Sequence, residues 1–294
     1  MSGGGGTELE TDALLRLRHL AARMRPPTLL PRTNLPGGIV HKRRGRGLEV
    51  NDIRLWSEGD DIRHLDRNAT ARTGIPHVRT FRDERERSTL LVADFRPPML
   101  FGTRRVFRSV AAGEALALLG WRAIAEGGRA GLVAGLAGAT RFSRPGRGLR
   151  AMLLLIGEMV QAHGEALAAR GTEGPSLAAV LEEAAELAGH GASIIVATSL
   201  DGEGAGFEAQ VEKMARKHDL QFVLTKDAFE IGPPAGAYPY LTMRGQAGWM
   251  EVGSGGGKPD ERVARLHRLG ASALVLDTRL EAEDMARALE RLHG

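Results

Sequence analysis

The sequence predicts an α/β protein built on a doubly wound, mostly parallel sheet. Three observations carry this. Residues 88–93 (STLLVA), 130–136 and 191–198 are short aliphatic runs of the kind that suits strands buried on both faces. Segments with helical spacing separate them, and strand alternating with helix argues for parallel pairing. Asp94 closes the first run ahead of a Pro97-Pro98 stop. An acid at the carboxyl end of a central strand, followed by a turn, is where open α/β sheets put ligands.

The remaining elements follow in order. Residues 7–24 read as an amphipathic helix with Leu9, Ala13, Leu17 and Leu20 on one stripe, stopped by Pro26-Pro27. The stripe is expected to pack on the main domain. Residues 75–81 suit a strand. Helices are expected over 104–126, 148–169, 175–187 (capped by Ser176) and 207–218. Strands are expected over 140–143 and 220–225, with weaker signals at 238–243 and 248–252. Gly253-Ser254-Gly255-Gly256-Gly257 has linker composition. A helix–strand–helix tail follows over 261–269, 272–276 and 281–292, and its periodicity leaves open whether it joins the sheet. The chain thus divides into a glycine leader and helix (1–36), a charged extension (37–87), an α/β core (88–252) and a linker with tail (253–294).

Composition sets further bounds. The 294 residues hold 43% hydrophobic and 26% charged side chains, as soluble globular proteins do. With no cysteine there is no disulfide, thiolate metal site or thiol nucleophile. No apolar run reaches the ~18 residues of a membrane span. The start of the chain lacks a signal-peptide core, so the expectation is a cytoplasmic protein. Residues 1–150 hold 27 basic and 15 acidic side chains (+12), and residues 151–294 hold 13 and 21 (−8). Such a split suits an anionic partner, self-association, or a scattered arginine excess on a solvated surface.

Charge is densest over 37–87. Arg54, Trp56, Gly59, Asp60, Asp61, Arg63, Asp66 and Arg72 crowd acids against arginines, and several must pair. The group reads as an ion-pair clamp, with a docking or acid cluster as the sharper alternative. The basic loop from His41 to Gly47 offers cations for phosphates but no aromatics for stacking. It reads as a solvated or internally paired loop, with nucleic-acid binding as the alternative. No phosphate loop, zinc helix or serine elbow is present. A hydrolase would have to rest on Asp60, Asp61 and Asp66 alone.

The pattern Arg54-x-Trp56-x-x-Gly59-Asp60-Asp61-x-Arg63-x-Leu65-Asp66, then Ala71-Arg72, then a strand ending at Asp94, resembles the bacterial family called domain of unknown function 58. That family reads R-x-Y-x-x-G-D-D-x-R-x-I-D-W, then A-R, then a strand ending in D-x-S-x-S-M. Here Trp56 replaces the tyrosine and Arg67 the tryptophan, while Arg96 and Pro98 replace both serines. The resemblance extends more loosely over 35–252. It implies a core similar to the von Willebrand factor A fold, which often carries a metal-ion-dependent adhesion site. It also implies an adaptor role beside a MoxR-type AAA+ ATPase. Such a metal site takes oxygen ligands from three loops. Asp94 supplies the first, Thr172 or Ser176 a hydroxyl in the second, and Ser199 stands where relatives carry an acid. Arg96 would repel the cation. The expectation is a retired pocket that binds no metal and needs no cofactor, in which Asp94 pairs with Arg96 or caps a helix.

Overall fold

The computed structural model describes residues 6–24, 48–57, 62, 65–83, 88–169, 174–241, 246–252 and 260–293. It forms two compact units, Leu29–Glu86 and the remainder (Met1–Thr28 with Arg87–Gly294). In chain order the elements begin α1 (Thr11–Ala21), β1 (Leu48–Leu55), α2 (Arg67–Thr73), β2 (His77–Asp83) and β3 (Ser88–Asp94). Next come α3 (Arg108–Ala125), β4 (Arg129–Gly135), β5 (Thr140–Arg147), α4 (Gly148–Ala168), α5 (Leu177–Leu187) and β6 (Ser193–Thr198). The last are α6 (Phe207–Ala215), β7 (Asp219–Lys226), α7 (Ala228–Ile231), β8 (Gly236–Leu241), β9 (Ala247–Val252), α8 (Glu261–Arg268), β10 (Ser272–Asp277) and α9 (Ala282–Leu289).

The larger unit is organised around a six-stranded sheet in the order β10-β7-β6-β3-β4-β5. All neighbours are parallel except β4 and β5. This is the mostly parallel, doubly wound sheet expected. The tail that the sequence left open adds β10 to the sheet, parallel to β7.

Strand periodicity sorts the core into two layers. Leu91 and Ala93 of β3 join a cluster with α1, α3, α4 and α9, while Leu90 and Val92 join one with α5, α6 and α8. Helix α1 packs on the first layer, as its apolar stripe implies, but the stripe is turned: Leu14, Leu17 and Ala21 are its buried residues, and Ala13 and Leu20 are half-buried. The Trp121 indole donates to the Leu14 carbonyl at 3.0 Å. A Cβ on Gly113 would come within 2.6 Å of Leu9, so glycine makes this close approach possible.

In the smaller unit β1 and β2 pair antiparallel, with a register shift between Val50 and Asp52. The strand expected over 75–81 begins at His77. Helix α2 was not anticipated; it starts at Asp66, whose Oδ1 accepts from Ala69 N at 2.8 Å, and ends at Gly74 with φ 73°. That is an aspartate N-cap and a left-handed glycine C-cap.

Candidate functional site

Doubly wound sheets bind ligands in the crevice at the carboxyl ends of the strands where the winding reverses. Here that point lies at the ends of β3 and β6, and it is occupied by a side chain. Asp94 and Arg96 are 1% and 2% exposed. Arg96 folds back so that Nε donates to Asp94 Oδ1 and Nη2 to Asp94 Oδ2, both at 2.8 Å. Its other donors span two distant loops. Nη2 reaches the Asp201 carbonyl at 2.8 Å, while Nη1 reaches the carbonyls of Gly202 (2.8 Å) and Pro175 (3.2 Å). A guanidinium carries five N–H donors, so each one here has an acceptor.

The carboxylate is equally committed. Asp94 Oδ1 also accepts from Arg96 N at 3.1 Å, and Oδ2 from the Thr198 hydroxyl at 2.7 Å. Four donors use the roughly four lone-pair sites of a carboxylate. A hard cation needs several free oxygens and cannot share its place with a guanidinium. The residues present do not fit a divalent metal. Among the described residues no group of three or more acids and histidines is placed to hold one.

Three loops meet on this arginine, and local geometry fits each to it. After β6, Thr198 Oγ1 accepts from Leu200 N at 3.0 Å, and Leu200 is held at φ 63°. A left-handed leucine is strained by roughly 1 kcal/mol or more and persists because its surroundings fix it. Gly202 follows at φ 61°, and a Cβ there would lie 3.4 Å from Arg96 Nη1. Before α5, Pro175 offers its carbonyl, and Ser176 Oγ caps the helix by accepting from Ala179 N at 3.3 Å. Thr172, the other candidate in that loop, lies outside the described residues.

Ser199 is buried and donates to Asp201 Oδ2 at 2.8 Å. The same oxygen accepts from Arg108 Nη1 at 3.1 Å, and Arg108 Nη2 reaches Glu230 Oε1 at 2.5 Å. The Arg108 guanidinium stands 5.0 Å from the Phe101 ring centre. Arg262 donates to the Ser199 carbonyl at 2.8 Å and holds Asp260, whose carboxyl it pushes well below the usual range. The sequence reading missed Arg108 and Arg262. The helix expected from residue 104 starts at Arg108, so the place of this arginine at the first position of α3 was not visible in the sequence.

Behind the crevice Phe95 points into the core, edge-on to His163 with ring centres 5.1 Å apart. His163 Nε2 lies 2.9 Å from Ser109 Oγ, and both are buried. Burial pushes the His163 imidazole down to about 4. The pair is sealed from solvent and joins α3 to α4 within the core.

The charged motif divides differently. Asp66 is buried and caps α2, while Trp56 and Arg72 are exposed. Arg54 lies on β1. Gly59, Asp60, Asp61 and Arg63 lie outside the described residues, as do the basic loop from His41 to Gly47 and the glycine linker.

An open α/β sheet whose switch-point crevice is filled by its own arginine defines the class of protein. The chain belongs to the family described as Protein of unknown function DUF58, whose model matches residues 52–238. Curated relatives include the uncharacterized protein Mb1516 of Mycobacterium bovis and the uncharacterized protein Rv1480 of Mycobacterium tuberculosis. Each is 36% identical over 151 residues, 49% of this chain and 47% of the relative. The match thus spans about half the length of these relatives. Similar solved structures include the conserved hypothetical protein BatB from Bacteroides thetaiotaomicron, with TM-score 0.46 and 13% identity over 70% of this chain and 98% of that one. A von Willebrand factor type A protein from Catenulispora acidiphila gives TM-score 0.42 and 12% identity over 71% and 42%. The fold stands on its own strand order rather than on these distant likenesses.

Proposed function

We propose that this chain is a non-enzymatic, cytoplasmic adaptor that presents a protein-binding surface and works with a MoxR-type AAA+ ATPase in assembling or remodelling protein complexes. The observation that carries the reading is the Arg96 staple. It commits the crevice where such sheets bind small ligands and leaves recognition to the rim. The rim offers the side chains that anchor protein interfaces. Phe101 follows β3, and the β8–β9 hairpin leaves the end of β7 through α7; Phe101, Tyr240, Met250 and Trp249 are all exposed, Trp249 by 72%. No described helix is long and apolar enough to cross a membrane.

Affinity capture from the native host tests the proposal. The expected result is an AAA+ ATPase that co-purifies, is lost as salt rises, and is reduced at least tenfold by Trp249→Ala or Phe101→Ala, since a buried aromatic anchor is worth about 2 kcal/mol. Recovery of nucleic acid without an ATPase would replace the adaptor by the nucleic-acid reading.

A further inference from the structure

Helix α4 lies at the edge of its layer and exposes an uncommon face. Leu149, Leu153 and Leu154 are 47%, 44% and 61% exposed; Leu153 and Leu154 lie away from buried Met152, Leu155, Ile156 and Met159, and Leu149 flanks that buried face beside Ile156. Surface helices normally place charge there. The charge that accompanies these leucines is mostly of one sign, and the first acid of the helix, Glu158, is paired with Arg141 at 3.3 Å. From Gly127 to Gly157 the chain has five arginines and no acid. Three of them, Arg144, Arg147 and Arg150, are exposed at the end of β5 and the start of α4, beside the leucines. The helix has no acid in its first turn and no side-chain cap, so its positive dipole end adds to the same field.

We propose that this patch docks the protein on an anionic membrane surface, with the three leucines entering the interface and the arginines meeting lipid phosphates. Charge decides the occupant. Apolar side chains set among arginines, with the first acid of the helix, Glu158, already held by Arg141, match a surface that is apolar beneath and negative throughout, which an anionic leaflet is. Arginine stems lie along apolar surface while the guanidinium stays with phosphate. A second copy seated patch to patch would bring Arg147 and Arg150 of both copies together, which like charges oppose. The patch lies on α4 and β5, away from the hairpin and Phe101 used in the adaptor reading, so the two proposals fail separately.

The test is sedimentation of the full chain with phosphatidylcholine vesicles, with and without phosphatidylglycerol. Binding is expected to the anionic vesicles and to fall with salt. Arg144→Gln, Arg147→Gln and Arg150→Gln should each lower the partition coefficient about fivefold. Leu153→Ser with Leu154→Ser should lower it at least tenfold. All five positions are exposed, and circular dichroism verifies that each variant folds. Equal sedimentation with neutral vesicles, or full binding by the arginine triple variant, overturns the proposal. So does a leucine-dependent dimer in light scattering without vesicle binding, which would assign the face to a second copy.

Discussion

The end of β3 and the start of α2 each turn on a buried aspartate, and the two bonds differ in reach. At the end of β3 the acceptors that Arg96 gathers besides Asp94 lie 79 to 106 residues away in sequence. At the start of α2 the described bond of the Asp66 side chain reaches three residues, to Ala69. One arrangement ties loops of a core together; the other starts a single helix. The local bond lies in the charge-dense stretch and the long-range one in an apolar stretch, so charge density does not rank them. The sequence distance of the acceptors does.

That contrast predicts a steep ranking of effects. Arg96→Ala leaves the buried Asp94 carboxylate without its cation and should cost about 3–5 kcal/mol in denaturant unfolding. Replacing both with apolar residues, Asp94→Leu with Arg96→Met, strands no charge and should cost less than either single change. A loss under about 1 kcal/mol for Arg96→Ala would put the staple in the same class as the cap and end the comparison.

Acid should act on the same region through His163. Its folded value is about 4 against 6.5 in the unfolded chain. Between these values the unfolded state binds more protons, so stability is full above 6.5 and falls as pH drops toward 4. The loss is about 3 kcal/mol. His218, also pushed down chiefly by burial, titrates in the same direction. The measurement is therefore the difference in pH slope between the wild type and His163→Leu, which should be flatter. Equal slopes would remove His163 from the account. The depressed carboxyls of Asp227 and Asp260 lose their contribution only at more acidic pH, below the ordinary carboxylate value of 3.8.

Asp66→Ala should cost about 1 kcal/mol, the value of a helix cap. Hydrogen exchange should place that loss at the Ala69 and Thr70 amides; a loss spread through the sheet would make Asp66 more than a cap. The smallest expected effect is that of magnesium: millimolar Mg²⁺ should leave the wild-type melting temperature unchanged. Arg96→Ser with Pro98→Ser, which restores two hydroxyls and frees Asp94, should gain a weak Mg²⁺ response in calorimetry. A saturable wild-type response abolished by Asp94→Ala would overturn the reading of a filled crevice.

Much of the larger unit was legible because its central strands are apolar without interruption, as burial on both faces requires. Strand β5 was half legible. Its register shifts between Ala130 and Leu132, opposite Pro145, and an edge strand with a bulge shows neither its full length nor its direction in sequence. Strand β1 was hidden for the same reason: Leu48 and Val50 keep one parity, Ile53 and Leu55 the other, across a bulge. The seven residues of α2 are too few for a periodic signal. At the site, the pairing of Asp94 with Arg96 could be read from two residues of separation. The carbonyls of Pro175, Asp201 and Gly202 could not, because backbone acceptors carry no residue signature and only the strand order brings them together.

The staple has a consequence for control. A metal ion that joined these loops would come and go with its concentration, its effect growing as the logarithm of free ion over dissociation constant. Arg96 is attached to the strand it serves, so its local concentration is fixed by the chain and cannot be diluted or chelated. The bond among the three loops is therefore unimolecular. Any regulation of this edge of the sheet has to come from what arrives at the rim, because nothing in the crevice can be removed short of unfolding it.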